Sequence, residues 1–157
     1  MAEELMIANG GKDAKYELLY RQAVELTRYE EDALARTANI IAMIHHTFNF
    51  WWTGIYRVVD GELVLGCFQG PVACTRIAYG KGVCGKAWQR GETVVVEDVE
   101  LFPGHIACSS ASKSEIVVPI RKDDEIVAVL DIDSEHLATF DHTDRVWLER
   151  IASLINM

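Results

Sequence analysis

The sequence predicts an α+β domain in which helices at both ends of the chain pack on one face of a central antiparallel sheet. Helical spacing of apolar residues occurs near both termini, whereas the middle of the chain alternates like strands joined by short polar turns. The chain has 157 residues, half of them hydrophobic, which is typical of one globular domain with a single core. Residues 1–12 are expected to form a flexible tail and residues 13–157 a single domain.

Two helices are predicted before the first strand, over residues 13–28 and 31–46. In each, apolar residues recur every three or four positions. The acidic run Glu30–Asp32 suits the start of the second helix, because carboxylates are favourable at the positive end of the helix dipole.

The strand region begins with a hairpin in which Asp60-Gly61 joins residues 52–59 to residues 62–68. A polar turn at 122–125 joins another predicted pair. Asp141, with Asp144 three residues later, predicts the capped start of a final helix. The remaining elements are predicted strands at 74–79, 93–97, 115–121 and 126–132, a short helix at 80–89, and the final helix at 142–155.

The formal charge is −9, which disfavours nucleic acid and anionic membranes as partners because both attract basic patches. No apolar run approaches the ~18 residues of a membrane span. The acidic start predicts no secretory signal, so the cytoplasm is the expected compartment. Cysteines there stay reduced and act as core fillers, metal ligands or redox groups.

Three cysteines, Cys74, Cys84 and Cys108, lie in the glycine-rich stretch from residue 66 to residue 114. A thiolate that attacks an oxidised sulfur becomes a sulfenic acid, and a second thiol within reach converts it to a disulfide. A simple core-filling role remains open for each of them, and it is the favoured interpretation for Cys67, which lies on a predicted strand.

Zinc is the competing use of these thiols, with His105 completing a Cys₃His site. The chain has no C-x₂-C pair, the commoner mark of such sites, so the redox interpretation is favoured.

Carboxylates form a second cluster, made of Glu115, Asp131 and Asp133. Asp131 and Asp133 flank Ile132 at the end of a buried strand, so both point to the same face. The alternative is that they face solvent or cap a turn with Ser134.

Aromatic residues alternate around a glycine near residue 54. Trp52, Gly54 and Tyr56 share one face of the first strand, and the space left by the glycine suits the wall of a small pocket. An ordinary aromatic core face is the simpler interpretation from these residues alone.

Several separate segments, taken in order, resemble the free methionine-(R)-sulfoxide reductases, which are single GAF-domain enzymes. The likeness runs from about Ala14 to the C-terminus. The segments are GCFQG (66–70), ACTRI (73–77), GKGVCG (80–85), FPGHIAC (102–108), SEIVVP (114–119) and VLDIDS (129–134).

The resemblance implies that Cys108 is the nucleophile and that Cys74, Cys84 or both resolve its sulfenic acid. It implies that thioredoxin regenerates the thiols, that no metal or organic cofactor is needed, and that free methionine (R)-sulfoxide is the substrate. Whether the protein forms a homodimer is left open. Glu115, Asp131 and Asp133 match substrate-binding carboxylates, and Trp52 and Tyr56 match aromatic wall positions.

Two residues depart from the family pattern. Ser109 stands where an acidic residue commonly follows the nucleophile, and Cys67 is additional to the three expected cysteines.

The implied chemistry needs a thiolate together with an acid, because a sulfoxide sulfur is a poor electrophile until its oxygen is protonated. Cys108 would attack sulfur while Glu115 or Asp133 protonates the oxygen. Crowded carboxylates cannot all stay ionised, so one pKa is expected to rise. The alternative function is a non-catalytic GAF module that senses a small ligand.

Overall fold

The computed structural model describes residues 4–108 and 110–157. A short 3₁₀ helix spans Val99–Leu101. The main elements are α1 (Lys12–Thr27), α2 (Ala33–Phe48), β1 (Trp52–Val59), β2 (Glu62–Gln69), β3 (Arg76–Ala78), α3 (Gly82–Arg90), β4 (Val94–Val96), β5 (Ser114–Lys122), β6 (Glu125–Ser134) and α4 (His142–Ala152).

The six strands form one sheet in the order β3-β2-β1-β6-β5-β4, and all neighbouring strands are antiparallel. Both predicted hairpin turns are present. Asp60-Gly61 and Asp123-Asp124 have positive φ at both central positions, the conformation whose twist matches paired strands. These two tight turns fix the registers of the β1–β2 and β5–β6 pairs.

Helices α1, α2 and α4 cover one face of the sheet, as predicted. Their apolar stripes pack on alternate residues of the central strands, among them Ile55, Ile116 and Leu130. Asp141 and Asp144 form the predicted capping box at the start of α4. The buried Asp144 also accepts a hydrogen bond from Tyr16 of α1 at 2.6 Å, which ties the two terminal helices together.

The opposite face of the sheet carries α3 and the long loops. Trp52, Tyr56, Val117 and Val129 point to this side and form a second core with the residues of α3. Because the segments between β2 and β5 are mostly loop here, they leave a cavity over the sheet.

Element boundaries differ from prediction mainly in this loop region. Strands β3 and β4 are only three residues long, and the 3₁₀ helix was not predicted. Helix α2 continues two residues beyond the predicted end and stops where Asn49 adopts a left-handed conformation.

The N-terminal segment contacts the domain from residue 5 onward. Leu5 packs against the helical core, and the backbone of Met6 exchanges two hydrogen bonds with the Gln22 side chain, each 2.8 Å long. The flexibility of residues 1–12 stays a prediction. Among the described residues, no helix combines the length and apolarity needed to cross a membrane.

Candidate functional site

A cavity of about 50 Å³ lies between the sheet, the N-terminus of α3 and two loops. The first loop contains residues 71–74 and the second contains residues 105–112. The predicted site residues Trp52, Tyr56, Cys84, Cys108, Glu115, Asp131 and Asp133 all line this cavity.

A disulfide joins Cys74 to Cys108 at the mouth of the cavity, with a Cα–Cα distance of 5.7 Å across a sequence separation of 34. Cys108 is exposed and Cys74 is half-buried. The Cys108 N–H donates to the Ile106 carbonyl at 3.1 Å, so the chain turns tightly just before the sulfur. Ser109, where the sequence departs from the family pattern, lies outside the described residues.

The other two cysteines are free and lie in different surroundings. Cys84, in the first turn of α3, is 3% exposed and faces the carboxylates. Burial, then the charges of Asp131 and Glu115, raise the pKa of its thiol well above the ordinary value, so it stays protonated and donates to Asp131. Cys67 is half-buried on β2, and the described cavity lining does not include it.

The three carboxylates meet because of strand register. Glu115 of β5 lies opposite Asp133 of β6, and Asp131, two residues before, points to the same face. The Cys84 sulfur and single oxygens of Glu115 and Asp131 lie within 4.8 Å of one another. One Asp131 oxygen, Oδ1, is buried and has no hydrogen-bond partner.

Burial is the main reason that the carboxyl pKa values rise. It raises the pKa of Glu115 and Asp131 well above the ordinary range and that of Asp133 to about 6. The charges of Asp131 and Asp133 raise the pKa of Glu115 further, and its carboxyl lies within hydrogen-bonding reach of both aspartates. Because the three carboxyl groups share one buried site, they do not all ionise together.

Ser112, which the sequence reasoning did not select, donates to Asp133 Oδ1 at 2.8 Å. It orients this carboxylate from the same loop that carries Cys108. The only sequence feature that pointed to Ser112 is the run of small residues around Cys108. That run does not show which of its serine hydroxyls faces the cavity.

The aromatic wall also anchors the first loop. Trp52 Nε1 donates to the Pro71 carbonyl at 3.0 Å, and the Tyr56 hydroxyl donates to the Cys74 carbonyl at 2.8 Å. A Cβ at Gly54 would lie 2.3 Å from the Trp52 ring, so the absent side chain does provide the space that the ring fills. Trp51, not predicted to lie on this side, also lines the cavity.

The first turn of α3 contributes backbone donors. The N-cap residue Lys81 makes no side-chain capping bond, and Gly82, Val83 and Cys84 line the cavity. The described lining contains no Lys or Arg. Arg76, at the start of β3, pairs with Glu62 of β2.

Two residue sets bear on metal binding. The proposed Cys₃His zinc site would need Cys74 and Cys108, whose sulfurs are bonded to each other here. Among the described residues, Cys84, Glu115 and Asp131 lie close enough together to share an ion. Burial raises the pKa of all three groups, which favours their protonated forms over the ionised forms that bind a metal.

Comparison with known proteins gives consistent matches. Residues 28–157 match the GAF domain family. The chain is 42% identical over 139 residues to the free methionine-R-sulfoxide reductase of Escherichia coli (strain K12), a match that covers 88% of this chain and 84% of the relative. A Saccharomyces cerevisiae protein of the same name is 45% identical over 128 residues, covering 76% and 71%.

The fold agrees with a solved structure over almost its whole length. The X-ray structure of free methionine-R-sulfoxide reductase from Neisseria meningitidis, in complex with its substrate, superposes with a TM-score of 0.95 at 47% identity. That match covers 97% of this chain and 92% of the other. With the sequence matches, it shows that this chain is an oxidoreductase and belongs to the free methionine-R-sulfoxide reductase family of GAF-domain proteins.

Proposed function

We propose that this protein reduces free L-methionine (R)-sulfoxide to methionine, with Cys108 as the nucleophile. The observation that carries the proposal is a pair of cysteines joined at the mouth of a cavity whose floor holds three carboxyl groups. A thiol pair able to close is what sulfoxide reduction requires, and a nearby acid is what activates the oxygen.

The cavity offers partners for both charged groups of a free amino acid. Asp131 Oδ1, buried and unpaired, accepts the substrate ammonium together with Asp133. The uncapped N-terminus of α3 receives the carboxylate, because first-turn N–H groups and the helix dipole favour an anion there. The apolar part of the substrate lies along Trp52.

In the chemical step, the Cys108 thiolate attacks the sulfoxide sulfur while Glu115 donates its proton to the oxygen. The attack forms a bond between the Cys108 sulfur and the substrate sulfur. The hydroxyl then moves from the substrate sulfur to the Cys108 sulfur as this sulfur–sulfur bond breaks, so methionine leaves and Cys108 becomes a sulfenic acid. Glu115 is chosen over Asp133 because burial and the charges of both aspartates raise its pKa well above the ordinary value, whereas the pKa of Asp133 rises to about 6.

Cys74 then resolves the sulfenic acid. Its thiol attacks the Cys108 sulfur, water leaves, and the disulfide forms. Cys74 is favoured over Cys84 because its Cα lies 5.7 Å from that of Cys108, whereas Cys84 is buried beside Asp131 as a neutral thiol. Thioredoxin completes the cycle by thiol–disulfide exchange.

Selection for the free amino acid follows from the buried carboxylates. A substrate whose amine is acylated leaves Asp131 without a charged partner in a place that water does not reach. Sites built on buried polar partners reject such analogues by about 10⁴-fold.

The test is a single-turnover count of thiols in the reduced protein, with free (R)-sulfoxide, free (S)-sulfoxide and N-acetylmethionine sulfoxide. Two thiols per chain should disappear with the free (R) form only. Cys108→Ser should abolish the loss, whereas Cys67→Ser, which changes a cysteine outside the described lining, should retain it.

Equal thiol loss with all three compounds would contradict the binding argument. No loss with the free (R) form, or full turnover in Cys108→Ser, would contradict the reductase assignment and favour a sensor.

A further inference from the structure

Two apolar side chains flank the disulfide at symmetric positions along the chain. Val72 precedes Cys74 by two residues and is 88% exposed, and Ile106 precedes Cys108 by two residues and is 39% exposed. Both border the mouth of the cavity. We call these two side chains the apolar rim.

The rim is held in place on both sides of the disulfide. The first loop is fixed by the hydrogen bonds from Trp52 to Pro71 and from Tyr56 to Cys74. Ile106 packs over Gly82 at the start of α3, where an added Cβ would lie 3.2 Å from it. Val72 and Ile106 therefore stand beside the sulfurs as part of a defined surface.

The rim also lacks charge. Residues 70–75 and 103–112 contain no Asp, Glu, Lys or Arg, although a quarter of the chain is charged and its net charge is −9. A protein that lays its own apolar surface here loses no charge hydration and meets no repulsion from this rim.

Single exposed apolar residues are common on protein surfaces. The position of Val72 and Ile106 beside the disulfide is what suggests a docking surface. A small dithiol needs only the sulfur, but a protein dithiol must cover the surface around the sulfur that it attacks. Of the two sulfur-bearing residues, Cys108 is exposed and Cys74 is half-buried in the anchored first loop.

We propose, on the basis of the proposed function, that a thioredoxin-type protein dithiol docks on Val72 and Ile106 and attacks Cys108 rather than Cys74. Its thiolate bonds to the Cys108 sulfur, the Cys74–Cys108 bond breaks, and Cys74 leaves as a thiolate that takes up a proton. The second thiol of the reductant then attacks the mixed disulfide and frees Cys108. The reductant is oxidised by two electrons to its own disulfide.

The docking surface is tested with Val72→Glu, a change at an exposed position that leaves the core intact. The ratio of thioredoxin-supported to dithiothreitol-supported kcat/KM for the reductant should fall roughly tenfold, since docking buries an apolar side chain. The matched control is Leu34→Glu, which makes the same charge change at a residue 69% exposed on α2 and should leave the ratio unchanged.

The attacked sulfur is tested by trapping. A thioredoxin whose second active-site cysteine is replaced by serine should form a mixed disulfide with the oxidised protein. Peptide mapping should place this bond on Cys108.

The outcomes separate this inference from the function on which it rests. If dithiothreitol supports no sulfoxide reduction, the proposed function fails. If dithiothreitol supports reduction but Val72→Glu leaves the ratio unchanged, or changes it no more than Leu34→Glu does, the docking surface is wrong. A mixed disulfide on Cys74 overturns the choice of Cys108.

Discussion

At the scale of single residues, the site concentrates ionisable groups where water is scarce. Glu115, Asp131 and Asp133 project from two paired strands into one cavity, and burial raises the pKa of each. This arrangement lowers the stability of the folded protein at neutral pH, because folding disfavours the ionised form of these groups.

The substitution Asp133→Asn tests how much stability the raised pKa of this carboxyl group costs. The pKa of Asp133 is raised from 3.8 to about 6, so between these values the folded protein keeps a proton that the unfolded chain releases. Stability therefore falls as pH rises through this window, and the full penalty is present above it. Relative to wild type, the variant should gain on the order of 2 kcal/mol of unfolding free energy between pH 4 and pH 7.5.

Urea unfolding of the oxidised proteins at both pH values measures the gain. Glu92→Gln removes one exposed carboxylate before β4 and serves as the charge control. A gain in Asp133→Asn that does not change with pH would contradict the account. We also expect slower sulfoxide reduction, because the proposed function assigns Asp133 to the substrate ammonium.

These carboxylates could be predicted from sequence because strand alternation alone places Asp131 and Asp133 on one face. Ser112 and the N-terminus of α3 could not be predicted. Their approach to the cavity depends on how a loop and a helix pack over the sheet, which no local periodicity encodes.

At the scale of elements, side chains of strand β1 hold the loop of residues 71–74 in place. β1 carries both Trp52 and Tyr56, and each donates a hydrogen bond to a backbone carbonyl in residues 71–74. The loop that presents Cys74 is therefore positioned by the same side chains that wall the cavity.

Tyr56→Phe removes one of these bonds and keeps the ring. Cys74 should then be less well positioned, so the Cys108 sulfenic acid should survive longer after a single turnover. Trapping with dimedone should label a larger fraction of the variant than of the wild type, at least twofold. The loss of a single hydrogen bond corresponds to about 1 kcal/mol.

Tyr79→Phe is the matched control, since Tyr79 is exposed and packs edge-on against Trp88. Equal dimedone labelling of wild type and Tyr56→Phe would show that the hydroxyl does not position Cys74. Slower loss of the first thiol in Tyr56→Phe would instead place the hydroxyl in the sulfoxide step.

Elements marked by local sequence patterns were predicted correctly, as the two type I′ hairpin turns and the capping box of α4 show. The short strands β3 and β4 were predicted too long. Residues at their ends have strand-like composition, and Thr75, just before β3, still accepts a backbone hydrogen bond from Leu65.

At the scale of the whole molecule, the sheet separates the main hydrophobic core on one face from the cavity on the other. Three helices and the apolar residues of one face form the main core, whereas the other face carries the cavity, the disulfide and α3. The central strands contribute to both sides, so the carboxyl groups lie on the most buried part of the fold, whereas the disulfide joins two loops.

The disulfide should affect global stability because it links residues 34 apart. In the chain-entropy model, a closed loop of this length stabilises the oxidised protein by about 3–4 kcal/mol. Urea unfolding with and without dithiothreitol measures the difference. Cys108→Ser should show no response to dithiothreitol, and an equal response in Cys108→Ser would assign the effect to another thiol.

The cavity that remains beneath the closed disulfide is about 50 Å³, well below the ~300–1,000 Å³ of ordinary small-molecule sites. The disulfide form therefore leaves little room for a whole amino acid. In the proposed mechanism, methionine leaves before the disulfide closes, and the next sulfoxide binds after the disulfide is reduced. We expect ping-pong kinetics, with no ternary complex of enzyme, sulfoxide and reductant.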